Sequence, residues 1–182
     1  MLDGDSITDH INGWSYAYFI NIPLLKSTFN VALSGATTDD LLASAPTNVD
    51  PHYDSTLYPN ISVIWAGTND CGHDTAAQSW ANLAAYSAAR HAIGFKTIIV
   101  TMMSFFGRDA CKDALNPLIV ANWPGVFDGL ADVAANPLVG ADGAYANLTY
   151  FQADRGHPTN FSAQTVIAPI IQPVIESLFP RK

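Results

Sequence analysis

Three apolar runs rich in β-branched residues punctuate the chain: Phe29 to Leu33, Ile61 to Ala66 and Thr97 to Met102. Their length and near-continuous apolarity predict strands buried on both faces. Val126 to Val133 reads as a fourth strand, interrupted by Asp128 and Gly129. Between these runs the pattern turns helical. Asp74 to Ile93 is rich in Ala, opens on an Asp/Thr cap signal and closes at Gly94, with Trp80, Leu83, Ala84, Ala88 and His91 near one face. Thr38 to Ala45 predicts a shorter helix stopped by Pro46, and Asp109 to Asn122 a helix broken around Pro117. Phe161 to Phe179 predicts a helix kinked near Ala168, because Pro169 and Pro173 sit inside it. Apolar strands alternating with helices describe an α/β domain whose parallel sheet is covered on both faces.

The 182 residues suit one domain, 1–182, large enough to bury a core without staples. Charged residues are 13% of the chain, about half the usual share, and the net charge is −8. Such a surface repels phosphate backbones and anionic membranes, so no nucleic-acid partner is expected. No apolar run approaches the ~20 residues that span a bilayer. Two cysteines, Cys71 and Cys111, are too few for a disulfide scaffold. Two readings stay open for them: a pair of buried thiols, or a disulfide between two loops that successive parallel strands bring to one sheet edge. His52, His73 and His91 have no metal-ligand spacing, so neither metal nor cofactor is expected.

Candidate chemistry lies in four short segments, in order: Gly4-Asp5-Ser6-Ile7, Ser34-Gly35, Gly67-Thr68-Asn69-Asp70 and Asp154-Arg155-Gly156-His157-Pro158. Each has an ordinary explanation when taken alone. Asp5-Ser6 is a turn and cap, Ser34-Gly35 a strand-ending turn, and Asp-x-x-His-Pro a polar lead-in to a helix. Together they supply a hydroxyl, an imidazole with a carboxylate three residues away, and amide donors. A serine hydroxyl needs a neighbouring base to react, and a free imidazole, with a pKa near ~6.5, can take and return a proton at neutral pH. His10 follows Ser6 closely but has no carboxylate at a comparable spacing, so a surface histidine is expected there.

All four segments in order resemble the SGNH (GDSL-type) hydrolase family, from residue 4 to residue 158. The resemblance implies a three-layer α/β/α flavodoxin-like domain with a central parallel sheet. It implies a triad of Ser6, His157 and Asp154, and an oxyanion hole of the Ser6 and Gly35 N–H groups with the Asn69 amide. A helix starting after Ser6 would add its N–H groups, and Asp5 and Asp70 would support the loops. The family leads a full buried strand into its nucleophile; here Met1-Leu2-Asp3 precedes Gly4, a truncated first strand whose pairing is at stake, with no signal peptide ahead of it. Either the chain was trimmed or its natural start lies upstream.

The expected partner is a small acyl ester, held by some of Met102, Met103, Phe105, Phe106, Tyr145, Tyr150 and Phe151, of which at least half are expected in the core. Met103, Phe105, Phe106 and Tyr150 are the chosen pocket residues. Arg155 is expected to be a solvated loop cation. Chain size and the lack of a lid-like insertion favour acetyl or short acyl groups. Carbohydrate acetylesterases, lysophospholipases and thioesterases of the family remain alternatives. Low charge and the candidate disulfide lean towards a secreted or periplasmic protein. Two other classes compete. A HAD-type phosphatase would use Asp3 and Asp5 in a D-x-D-x-[TV] motif, but Ile7 replaces the Thr or Val. A non-catalytic binding module would keep the fold without the reaction.

Overall fold

The computed structural model describes residues 1–9 and 15–180. Among these residues four strands form a parallel sheet in chain order: β1 (Leu2–Gly4), β2 (Asn60–Trp65), β3 (Phe95–Val100) and β4 (Gly129–Ala131). Register is continuous across it, with Leu2 opposite Val63, Val63 opposite Ile98 and Ile98 opposite Gly129.

The first apolar run lies on the outer side of β1. The Leu2 N–H donates to Phe29 O (2.8 Å), Val31 N–H to Leu2 O (2.9 Å) and Leu33 N–H to Gly4 O (2.9 Å). This is parallel pairing, yet only one bridge, Leu2 to Asn30, is regular enough to count as sheet. The expected strand Phe29–Leu33 is therefore an edge segment. Its burial also falls short of expectation, since Phe29 and Leu33 remain 42% and 44% exposed where no strand among the described residues lies beyond them. Although β1 has three residues, it is bonded along both sides. From the edge segment the chain crosses past β1 to β2, which makes the carboxyl end of β1 the topological switch point.

Strand alternation builds the layers. In β2 and β3, Ile61, Val63, Trp65, Ile98 and Val100 face a core that also holds Tyr16, Phe151, Ile167 and Ile171. Ile64 and Ile99 face the opposite core, with Leu41, Leu83, Tyr86, Leu115 and Ile119. The second core is roofed by α1 (Thr38–Asn48), α2 (Ala76–Ile93) and α3 (Asp109–Asn122). Under the first core lies the C-terminal helical segment, α4 (Asn160–Ser162), a π-helical turn (Ala163–Ile167) and α5 (Ala168–Ser177). Near-continuous apolar strands are thus explained by helices on both sheet faces.

Both α1 and α2 start at capping boxes, Thr37 with Asp40 and Thr75 with Gln78. The buried face of α2 differs from the apolar stripe expected of it. Ser79, Leu83, Tyr86, Ser87 and Arg90 point inward, whereas Ala88 and His91 are exposed. Each polar member of that face has a partner: Ser79 Oγ donates to Asp70, Ser87 Oγ to Val126 O, and Arg90 Nη2 to Asp50.

Proline breaks helices less often here than the pattern predicts. α1 continues beyond Pro46 to Asn48, because Leu41, Ala45 and Val49 are wholly buried and hold its last turn against the core. α3 runs unbroken through Pro117 while the Asn116 side chain grips Met102, accepting from its N–H and donating to its C=O, both at 2.8 Å. The kink expected near Ala168 takes the form of the π turn: the Ala168 N–H bonds Ala163 O, one residue further back than an α-helix, immediately before Pro169. Such a turn re-aims a helix where a proline cannot donate.

Asp3, Asp5 and Asp9 are all buried along β1 and its exit. Burial pushes Asp3 up to about 6, against hydrogen bonds from the Tyr86 hydroxyl and the Gly4 N–H. Burial pushes Asp5 up to about 6 as well, against the Ile7 N–H. A raised carboxyl keeps its proton in the folded state after the unfolded chain has lost it. Between pH 4 and 6 these two groups therefore hold more protons in the native state, and their contribution to stability falls as pH rises. Urea titrations across this window are expected to show a decline on the order of 2 kcal/mol per carboxyl, partly flattened in Asp3→Asn. A profile that stays level would contradict the assignment.

Candidate active site

At the end of β1 the backbone turns over on itself. Gly4 has φ +148°, and a Cβ there would run into the Trp65 carbonyl, so only glycine lets the two strands approach so closely. Asp5 O then accepts the N–H groups of Thr8 (3.1 Å) and Asp9 (3.0 Å), while its carboxylate accepts that of Ile7 (2.9 Å). The result is one tight turn that lifts Ser6, half-buried, at the carboxyl edge of the sheet. Among the described residues the helix expected after Ser6 appears as this turn, and His10 lies outside the described residues.

The histidine arrives on a loop stitched to itself. Gln152 N–H donates to His157 O (2.8 Å) and Gln152 Nε2 to Pro158 O (2.9 Å). Asp154 Oδ1 accepts from the Gly156 and His157 N–H groups at 2.9 and 3.1 Å. Its other oxygen meets His157 Nδ1 at 2.7 Å, and His157 Nε2 meets Ser6 Oγ at 2.7 Å. Burial tends to raise the Asp154 carboxyl, but the Gly156 N–H, the His157 ring and the His157 N–H outweigh it and hold it below the usual range. An ionised carboxylate only accepts, so Nδ1 carries the proton and Nε2 is left to accept from the Ser6 hydroxyl. The tautomer that can deprotonate Ser6 follows from the partner on the far side of the ring.

Two further loops close on the same edge. Gly35, exposed and with φ +84°, follows the edge segment, which is tied to the Ser6 turn by Asn30 Nδ2 to Thr8 O (2.7 Å) and Ser34 Oγ to Asp9 (2.8 Å). Asn69 follows β2, and its Nδ2 donates to Ala36 O at 3.1 Å, joining the two loops. Asp70 anchors this loop below, accepting from Ser79 Oγ (2.8 Å) and from both the N–H and hydroxyl of Thr38. Sequence reasoning missed Arg108, whose Nη1 donates to Asn69 Oδ1 (2.9 Å) and Thr68 O (2.7 Å). Nothing in the pattern marks it beyond its place after β3, at the edge where the Asn69 loop also ends. Asp3, the nucleophile of the phosphatase alternative, is 2% exposed and bonded to Tyr86 on α2, so it cannot meet a substrate.

No protein-family model and no curated protein matches the sequence. Solved structures do. A protein named TesA superposes with a TM-score of 0.74 at 22% identity, covering 98% of each chain. A GDSL-like lipase from Bacteroides thetaiotaomicron gives 0.72 at 19% identity, covering 98% of this chain and 87% of its own. A catalytic mutant of Axe2, an acetylxylan esterase from Geobacillus stearothermophilus, gives 0.65 at 17%, covering 99% and 95%. The chain has the GDSL hydrolase fold.

Within the GDSL fold the predicted pocket residues divide. Met103 is a correction: at 1% exposure it belongs to the core beneath the sheet, as does Phe151, while Met102 enters the opposite core, because beyond the end of β3 both methionine side chains turn inward, one to each face. Phe105 stands edge-on to the His157 ring, centroids 6.1 Å apart. Phe106 is 57% exposed and meets Tyr145 edge-on, with the Arg155 guanidinium 5.9 Å above it. Tyr150 is half-buried against Phe161. A cavity of about 650 Å³ lies at the other end of the sheet, near Leu2, Asn60 and Phe95, and contains none of the predicted pocket residues. Among the described residues no group of three or more His, Cys, Asp or Glu side chains is placed to hold a metal ion.

Cys71 and Cys111 are joined by a disulfide, Cα atoms 5.7 Å apart, that ties the loop after β2 to the first turn of α3. Of the two readings open for this pair, the structure adopts the bond. It closes a loop spanning 40 residues, so the chain-entropy model predicts ~4 kcal/mol of stability lost on reduction. Thiol titration in denaturant should find no free thiol before reduction and two after it, with a lower urea midpoint for Cys71→Ser/Cys111→Ser. Two titratable thiols in the untreated protein would refute the bond.

Proposed function

We propose that the GDSL fold here carries a metal-free serine esterase acting through an acyl-enzyme. The observation that supports it most is the pair of 2.7 Å contacts running from Asp154 through the His157 ring to Ser6 Oγ. Ser6 Oγ attacks the ester carbonyl as its proton passes to His157 Nε2. Asp154 stabilises the imidazolium formed. The carbonyl oxygen becomes an oxyanion facing the Ser6 and Gly35 N–H groups and the Asn69 amide. Collapse of this tetrahedral species breaks the bond to the alkoxy group, which leaves with the proton from His157. Water, deprotonated by the same imidazole, then attacks the acyl carbon and restores Ser6.

Small and short-chain acyl esters fit the site best. Ser6 and Asn69 are half-buried and Gly35 is exposed, so the reacting carbon is reached directly from solvent, beside the rings of Phe105 and Phe106. The likeness to an acetylxylan esterase and to a GDSL-like lipase leaves acetylated sugars and longer acyl chains as the alternatives to separate. The disulfide fits an oxidising compartment, which supports a secreted or periplasmic location.

The deciding experiment is hydrolysis of p-nitrophenyl esters of increasing chain length and of acetylated sugars. Turnover should be highest on the shortest acyl groups and absent in Ser6→Ala. Asp154→Asn is expected to lower kcat by up to ~10⁴, since the ring then loses the acceptor that selects its tautomer. Loss of only a few-fold would remove Asp154 from the reaction, and inertness towards every ester would favour a binding module.

A further inference from the structure

The amide of Asn69 has two possible orientations, and only one offers an N–H to an oxyanion. Two neighbours choose between them. Arg108 can only donate, and its Nη1 lies 2.9 Å from one amide atom. The Ala36 carbonyl can only accept, and it lies 3.1 Å from the other. The atom facing Arg108 is therefore Oδ1 and the atom facing Ala36 is Nδ2. One Nδ2 hydrogen serves Ala36, and the second remains for substrate. Remove Arg108 and Oδ1 loses its charged donor, while the amide gains freedom to turn its oxygen towards the reacting carbon.

Arg108 is itself held from three directions. The same Nη1 donates to Thr68 O at 2.7 Å. Its guanidinium lies 4.7 Å from the centre of the Phe105 ring, whose edge meets His157. Its backbone stands three residues before Cys111, and Asn69 two residues before Cys71, so the disulfide joins the segments that carry the two side chains. Its positive charge also lies close enough to favour the ionised form of Asp5, beside Ser6.

We propose that Arg108 is a positioning residue for the oxyanion hole: it orients and polarises the Asn69 amide so that Nδ2 meets the developing negative charge. A cation on Oδ1 draws electron density from the amide and makes its N–H a stronger donor. The effect belongs to the tetrahedral state and not to ester binding, so it acts on kcat. This inference rests on the esterase reading above.

The test is a double-mutant cycle on a p-nitrophenyl ester that the wild-type protein hydrolyses. Arg108→Met keeps an apolar stem against Phe105 but removes the donors. Its kcat is expected to fall about 10- to 100-fold, less than the ~10²–10³ of an oxyanion donor removed outright, with KM changed less than about threefold. Arg108→Lys should recover most of the loss, because both hydrogen bonds leave from one nitrogen and a single ammonium can replace it. The decisive reading is non-additivity: in Asn69→Ala, adding Arg108→Met should cost nothing further. A short alkyl boronic acid, which forms a tetrahedral adduct on Ser6, should bind Arg108→Met more weakly by a factor close to the loss in kcat. Should Arg108→Met fail to fold, Arg108→Gln is read in the same cycle. An additive loss, a change confined to KM, or unchanged boronate affinity would overturn the inference while leaving Ser6-dependent hydrolysis intact. Hydrolysis that survives Ser6→Ala would instead overturn the esterase reading beneath it.

Discussion

Everything at the site hangs on the parallel pairing of β1. Three residues, Leu2 to Gly4, are bonded to Val63, Ile64 and Trp65 on one side and to the edge segment on the other. That pairing fixes where Gly4 ends, and the close approach of Gly4 to the Trp65 carbonyl leaves the next residue no route except the turn that lifts Ser6. Because β2 and the edge segment run parallel to β1, their exits fall at the same edge, and the Asn69 and Gly35 loops arrive beside Ser6 without any long excursion. A parallel sheet gathers the ends of distant segments at one rim.

The polar atoms of this rim are tied to one another. Asp70 is the deepest knot, taking hydrogen bonds from α1 and α2 and so setting the height of the Asn69 loop above the sheet. Arg108 and the disulfide draw the loop after β3 onto it. On the other side, Phe106 N–H reaches Arg155 O at 2.9 Å, coupling that same loop to the one bearing Asp154 and His157. The segment from Ser104 to Cys111 thus touches both the Asn69 loop and the loop that bears Asp154 and His157. A displacement there would be felt at both.

Where the pattern of residues misled, the reason was a buried polar group or a proline with company. The inward face of α2 carries Ser79, Ser87 and Arg90, which hydropathy counts as solvent-facing, since no periodicity records that Asp70, Val126 and Asp50 wait to satisfy them. Asp128 looked like an interruption of the fourth strand. It instead accepts from the Thr97 N–H and the Lys96 ammonium, clamping the start of that strand to β3. Pro46 and Pro117 each forfeit one backbone bond, a cost their buried neighbours outweigh. Met103 was read as pocket lining from its place after a strand, but past the end of β3 the chain leaves the strand's alternation and turns this side chain into the core.

The sequence alone determined the order of elements, the strands buried on both faces and the four segments with chemistry in them, because periodicity and short motifs are local properties of the chain. It also named Ser6, His157, Asp154, Gly35 and Asn69. Only the tertiary structure decided that 151 residues of separation between Ser6 and His157 close to 2.7 Å. The same holds for the joining of Cys71 to Cys111 and for the arginine that turns the Asn69 amide. Those outcomes depend on how the loops are folded down onto the sheet, and no stretch of residues carries that distance within itself.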